Sequence, residues 1–180
     1  TKLNGLQKKY YARLYRLGLI KQRPYSQAWK YKDDIRRMKQ LQEQYLFLVN
    51  HDVESVENLI DVKGVLEEEK REVSKEKSKA YRQRSRCSDL FAIADSMKEL
   101  QPAEMAYRAG DEFFEEEHIR WMQQEQELQR KGYSYEEVVK LKEHYRGKII
   151  RAREQEQSVK KKIRIAETIL RETRENQKEF

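Results

Sequence analysis

Leu59, Leu66, Val73, Ala80, Cys87 and Ala94 stand seven residues apart, and each is apolar or small. A period of seven held over that distance is two turns of α-helix repeated, and a strand, whose faces alternate every second residue, cannot meet it. The partner series Val62, Glu69, Glu76, Gln83, Leu90 and Met97 is apolar only at its ends. Between Glu67 and Arg86 the seam is therefore one residue wide. The spacing predicts a single helix from about Glu54 to Leu100, an arm of about 70 Å at 1.5 Å per residue. Gly64 weakens it by about 1 kcal/mol relative to alanine, but nothing nearby signals a break. Composition agrees with long, solvent-bathed helices. Hydrophobic residues make up 37% of the chain and charged residues 39%, against roughly 45–50% and about 25% in an average domain. Too little apolar surface is present to offset the ordering entropy of one thick core. Six glycines and two prolines, Pro24 and Pro102, leave almost nothing to punctuate a sheet. An all-α fold is expected, drawn out as an elongated antiparallel coiled-coil bundle, and an ordinary α/β enzyme is nearly excluded.

Four further helices account for the rest. The first runs from about Leu3 to Leu17 with Leu3, Leu6, Tyr10, Leu14 and Leu17 on one stripe, and Gly18 ends it. Lys21-Gln22-Arg23-Pro24-Tyr25 forms a connection, since the residue before proline avoids helical geometry. Ser26 is a good N-cap for a helix from about Gln27 to Asn50, whose stripe reads Tyr31, Ile35, Met38, Leu41, Tyr45 and Leu48. These two elements are expected to close as an antiparallel hairpin over residues 1–51. Pro102 suits the first turn of a helix from about Ala103 to Lys131, with Tyr107, Phe114, Trp121 and Leu128 seven apart and Gly132 as its stop. Ser134 with Glu137 is a capping box that opens a helix from about Tyr135 to Glu175. Its stripe runs Val138, Leu141, Tyr145, Ile149, Ala152, Val159, Ile163, Ala166 and Leu170, with Glu156 the one polar interruption. Short connections join antiparallel neighbours, so residues 52–180 are expected to form three long helices folded back on each other.

The chemistry-bearing residues are sparse. Cys87 is the only cysteine, so no internal disulfide forms, which fits a reducing, cytoplasmic compartment. The longest apolar run, Tyr45 to Val49, is far short of a membrane span. No charged-then-apolar leader opens the chain, and its first residue, Thr1, fits a piece of a longer protein. His51, His118 and His144 are dispersed. Glu115 and His118 make one E-x-x-H, but a di-iron carboxylate bundle needs that motif on two helices. Glu143 and His144 are adjacent and point to different faces, so His118 reads as a surface histidine flanked by acids. No glycine-rich phosphate loop, G-x-S-x-G or C-x-x-C is present. Cys87, on the seam, reads as core filler rather than a nucleophile. No cofactor and no enzymatic activity are expected of this chain.

Charge is distributed unevenly. The chain carries a net +7, yet residues 1–50 alone carry +9, residues 51–99 carry −2, residues 100–132 carry −4 and residues 133–180 carry +4. The front also holds six of the eleven tyrosines, Trp29 and Phe47. Lys9, Arg13 and Arg16 lie on one side of the first helix, with Tyr11 and Tyr15 at its border and Lys8 adjoining. Lys32, Arg36 and Lys39 form an i, i+4, i+7 row on the second, beside Arg37, and Lys21, Arg23 and Lys30 complete the cationic set. Two such rows can follow a phosphate backbone, each contact releasing counterions, and exposed rings can stack on unpaired bases. Tyr10, Tyr31 and Tyr45 are expected to knit the hairpin together, while Tyr11, Tyr15 and Tyr25 stay open to either role. Asp33 and Asp34 dilute the row and are expected to pair with Arg37 or Lys30.

Several of these strings resemble a known family. Leu6-Gln7-Lys8-Lys9-Tyr10-Tyr11-Ala12-Arg13-Leu14-Tyr15, Arg23-Pro24-Tyr25-Ser26-Gln27-Ala28-Trp29-Lys30-Tyr31-Lys32-Asp33-Asp34-Ile35, Leu41-Gln42-Glu43-Gln44-Tyr45-Leu46-Phe47-Leu48, Glu116-Glu117-His118-Ile119-Arg120-Trp121 and Gly132-Tyr133-Ser134-Tyr135-Glu136-Glu137-Val138 are similar to the helical C-terminal region of relaxase/mobilisation proteins of conjugative elements from Gram-positive gut bacteria. The resemblance spans nearly the whole chain and is not a catalytic motif. Such relaxases nick one strand at a transfer origin with a tyrosine nucleophile and a histidine-held metal in an N-terminal domain, and no catalytic residue carries over here. The resemblance implies a segment that follows that domain and helps bind origin DNA or engages other transfer proteins, in plasmid or transposon transfer. The alternative is a protein-interaction module: the thin seam between Glu67 and Arg86 can gain burial by pairing with another helix, of a coupling protein, an accessory factor or a second copy.

Overall fold

The computed structural model describes residues 5–19 and 32–178. Among the described residues every regular element is helical: α1 (Gly5–Arg16), α2 (Lys32–Asn50), α3 (Val56–Arg86), α4 (Ser88–Arg108), α5 (Glu115–Arg130) and α6 (Tyr135–Lys178), with a single 3-10 turn at Glu112–Phe114. The chain is all-α, and among the described residues no helix is long and apolar enough to cross a membrane. It divides into two compact units, one of residues 1–62 and 165–180, the other of residues 63–164.

Local backbone chemistry ends the helices. At Gly18, Asp52, Gly110 and Gly132 the chain enters the left-handed region, with φ of 70°, 49°, 104° and 84°. Each end carries the same pair of closing bonds: Gly18 N–H to Tyr15 O with Leu19 N–H to Leu14 O, and Gly132 N–H to Gln129 O with Tyr133 N–H to Leu128 O. These satisfy carbonyls that the last helical turn would otherwise leave open. Asp52 makes the same turn without glycine's freedom, so its Cβ is crowded there. Starts are capped by side chains. Ser55 Oγ accepts from Asn58 N–H at 3.1 Å. Ser134 Oγ accepts from Glu137 N–H at 3.2 Å while Glu137 Oε2 accepts from Ser134 N–H at 2.9 Å, the reciprocal pair that the sequence spacing predicts.

In the first unit, α1 buries no residue and α2 buries only Gln44 and Phe47. Among the described residues there, Leu59, Ala166 and Leu170 are the other buried apolar side chains. The expected inner stripe of α2 points elsewhere: Met38 is 69% exposed and Tyr45 66%. The face that is covered carries Gln40, Gln44 and Phe47, with His51 tilted against the Phe47 ring at 4.5 Å. The expected connection at residues 21–25, the Ser26 cap and Tyr31 lie outside the described residues.

The second unit holds a packed core of Phe91, Ala94, Met97, Trp121, Leu128 and Val138. Met97, Leu128 and Val138 are fully buried. Leu66, Val73 and Ala80 on α3, and Ile149, Val159 and Ile163 on α6, are buried as their spacing predicts. Two boundaries differ from expectation. The long third helix breaks at Cys87, which has φ −98° and ψ 10° and whose N–H bonds back three residues to Arg84. Ser85, Cys87 and Ser88 are weak helix formers, and beyond them burial passes to Phe91 while Cys87 stays half-buried. Pro102 then lies inside α4 instead of opening a helix. Burial on both of its sides, Met97 before and Glu104 after, holds the segment helical past a residue that costs about 3 kcal/mol in a helix interior. The stop comes at Gly110.

Candidate nucleic-acid interface

The cationic front divides into residues that stay open and residues that are spoken for. α1 contains Lys8, Lys9, Arg13 and Arg16 and no carboxylate. Lys9, Arg13 and Arg16 are exposed, and among the described residues none pairs with an acid. Tyr11 and Tyr15 beside them are 38% and 39% exposed, with Tyr11 edge-on to Tyr10 at 6.0 Å. Tyr10 is itself 63% exposed, and with Tyr45 it departs from the expected packing role. A three-turn helix with one cationic side and half-open rings can neutralise phosphates and offer stacking surface at once.

On α2, Lys32, Arg36 and Lys39 are exposed. Arg36 Nη1 lies 3.4 Å from Asp33 Oδ1, with both side chains well exposed, a pair worth little in water. Arg37 differs from expectation. Its guanidinium holds Glu172 of α6 by two bonds, Nη1 to Oε1 at 2.8 Å and Nη2 to Oε2 at 3.3 Å. Gln40 and Gln44 amides add bonds to the same carboxylate at 3.4 and 3.3 Å. The Arg37 bond, with smaller help from Gln44, holds the Glu172 carboxyl below its usual value, and the same bond raises Arg37. Arg37 thus braces the first unit, and the pairing foreseen for it with Asp33 or Asp34 is absent. Lys21, Arg23 and Lys30, with Tyr25, lie outside the described residues.

Polar side chains in the second unit take structural roles. Glu104, 3% exposed, is clamped between Arg108 Nε and His118 Nδ1, each at 2.6 Å from one carboxylate oxygen. The His118 ring stacks on Tyr107 at 4.2 Å and 15°. His118 is therefore half-buried with a committed partner, not a surface histidine among acids. Fourteen residues separate it from Glu104, and spacing alone offers no signal that joins them. Among the described residues no three metal-ligating side chains converge. Glu156, the polar interruption on α6, takes Lys77 Nζ at 2.5 Å and Lys160 Nζ at 3.2 Å. The Lys77 bond, then that of Lys160, pulls its carboxyl below the ordinary range against the opposing effect of burial. Two buried polar atoms, Trp121 Nε1 and Gln124 Oε1, have no partner. No family model, curated protein or solved structure matches the chain.

Proposed function

We propose that this chain is a non-catalytic helical region that binds nucleic acid through the basic side of α1 and the cationic row on α2. The observation that carries the reading is α1 itself: Lys9, Arg13 and Arg16 are exposed on a helix that holds no acid. On the strength of the sequence resemblance, the nucleic acid is transfer-origin DNA and the parent protein a conjugative relaxase whose catalytic domain precedes this region in the chain. Changing Arg13, Arg16, Lys32 and Arg36 together to glutamate should weaken DNA binding and flatten its salt dependence, since each phosphate contact contributes about 0.9 to the log–log slope on duplex and about 0.7 on single strands. Affinity and slope equal to wild type would remove this reading.

A second reading rests on a different observation. Met38, Leu41, Tyr45 and Val49 form an exposed apolar stripe on α2, larger than scattered surface residues require. A helix of that kind is suited to holding a coupling or accessory protein, or a second copy. Light scattering across a concentration series separates the two: a monomer at all concentrations that binds DNA favours the first, and a mass that doubles and then reverts on Tyr45→Glu favours the second.

A further inference from the structure

A second cationic surface lies in the unit of residues 63–164, where averaging over long stretches of sequence hides it. Residues 77–86 on α3 hold Lys77, Lys79, Arg82, Arg84 and Arg86 and no carboxylate, and residues 140–153 on α6 hold six cations against Glu143 alone. The fold brings these two stretches together. Lys77 bonds Glu156, and the Arg153 guanidinium lies over the Tyr81 ring, 5.4 Å from its centroid, and bonds the Tyr81 hydroxyl. The two stretches together make a waist that holds eleven cations, and the acids that meet them are Glu143, Glu156, Asp95 and Glu76.

Little of that charge is neutralised. Lys77 is committed to Glu156, Lys142 bonds Asp95, and Arg146 lies 3.4 Å from Glu143. Among the described residues Lys79, Arg82, Arg84, Arg86, Lys148 and Arg151 pair with no carboxylate, and all are exposed. A cleft of about 400 Å³ opens between α3, α4 and α6, with Tyr81, Arg84, Ser85, Ser88 and Lys142 as its polar lining, Asp95 as its one acid, and Phe91 and Ala92 as its apolar part. A smaller recess of about 200 Å³ between α3 and α6 is lined by Lys79 and Lys148, with Glu76 at one end. Helical spacing turns Arg82 away from the buried Ala80, and Arg151 away from the buried Ile149.

Cations along the cleft, the recess and the outer sides, spread over about 14 Å of α3 and about 20 Å of α6, suit a polymer of repeating negative charge better than one small anion. A membrane surface fits poorly, because Ile150 is the only large apolar side chain exposed within either stretch. We propose that this waist is a phosphodiester-binding surface for a nucleic-acid strand, with one phosphate seated in the cleft by Arg84 and the Ser85 and Ser88 hydroxyls. Its residues belong to a different unit from α1, and the proposal stands without the basic side of α1.

The test uses the full chain with a fluorescein-labelled 20-nucleotide strand and its duplex, titrated across salt. Arg82, Arg84, Arg86 and Arg151 are changed together to glutamine, which keeps helix propensity; a second variant carries lysine at the same four positions. The glutamine variant should lose roughly tenfold or more in affinity and about 3 in log–log slope, and the lysine variant should retain both. A glutamine variant that melts as wild type and binds with wild-type slope overturns the proposal, as does a surface that captures polyglutamate or anionic vesicles but no oligonucleotide. Loss in the glutamine variant alone, with the α1–α2 glutamate variant unaffected, upholds the waist and removes the front; the opposite pattern does the reverse.

Discussion

The two units of this protein use the same raw material to different ends. In residues 63–164, apolar side chains at helical spacing find partners, and Met97, Leu128 and Val138 are fully enclosed. In the unit that contains α1 and α2, stripes of similar rhythm stay in solvent. Leu6, Tyr10, Leu17, Met38, Leu41 and Tyr45 are all exposed. What covers α2 is a polar contact, Arg37, Gln40 and Gln44 gathered on Glu172, beside one aromatic residue, Phe47. Amphipathic periodicity therefore says which residues are able to pack and does not say that a partner is present.

The largest test of that contrast is truncation. Leu128→Ala or Met97→Ala should destabilise by about 2–5 kcal/mol through lost burial and an unfilled cavity. Met38→Ala or Tyr45→Ala should stay within about 0.5 kcal/mol, as expected for open surface. Urea unfolding monitored by circular dichroism reads both, and a large loss at Tyr45 would mean that its stripe is covered in solution.

Next come the paired carboxylates, one in each unit. Glu156→Ala leaves Lys77 half-buried without its partner and should cost about 1–3 kcal/mol, whereas the double change to leucine at Lys77 and Glu156 should be close to neutral. Glu156 and Glu172 are both held below the ordinary value of 4.5 in the folded chain. Their contribution is therefore complete above that value and lost as pH falls through the lower, folded one. Melting temperature should fall on acidification below about pH 4.5, less steeply in Lys77→Met. An identical acid profile in that variant would show that the Lys77 bond contributes nothing, with Lys160 alone holding Glu156.

Two smaller changes act at helix ends. Ser134→Ala removes half of the reciprocal cap on α6 and should cost about 1 kcal/mol. Asp52→Gly should stabilise by about 0.5–1 kcal/mol, because the left-handed turn at φ 49° crowds any Cβ. Thermal melts resolve both signs, and a loss at Asp52 would assign its side chain a contact that outweighs the turn.

Much of the helical layout was legible from residue spacing. Gly18, Gly132, Ser134 with Glu137, and the buried ladder Leu59, Leu66, Val73 and Ala80 all act where local rules put them, since the information lies within one or two turns. The misreadings came from longer range. Pro102 carries a local stop signal, but burial of Met97 and Glu104 on either side overrides it. Cys87 continues the sevenfold pattern, yet the backbone breaks there and Phe91 takes the buried place. Arg37 looked like one more cation in a row until Glu172, 135 residues away, claimed it. The Glu104–His118 contact and the basic waist share the same origin: each joins segments that spacing within one helix cannot relate.

Trp121 packs near Tyr135 at the centre of one unit, and the sequence holds just one other tryptophan, Trp29. Replacing Trp29 by phenylalanine would leave a lone indole whose emission follows the enclosed interior of residues 63–164. A red shift of that emission at a lower urea concentration than the loss of total helicity would mean that the well-packed half gives way first. Coincident transitions would mean that the two halves unfold as one cooperative whole.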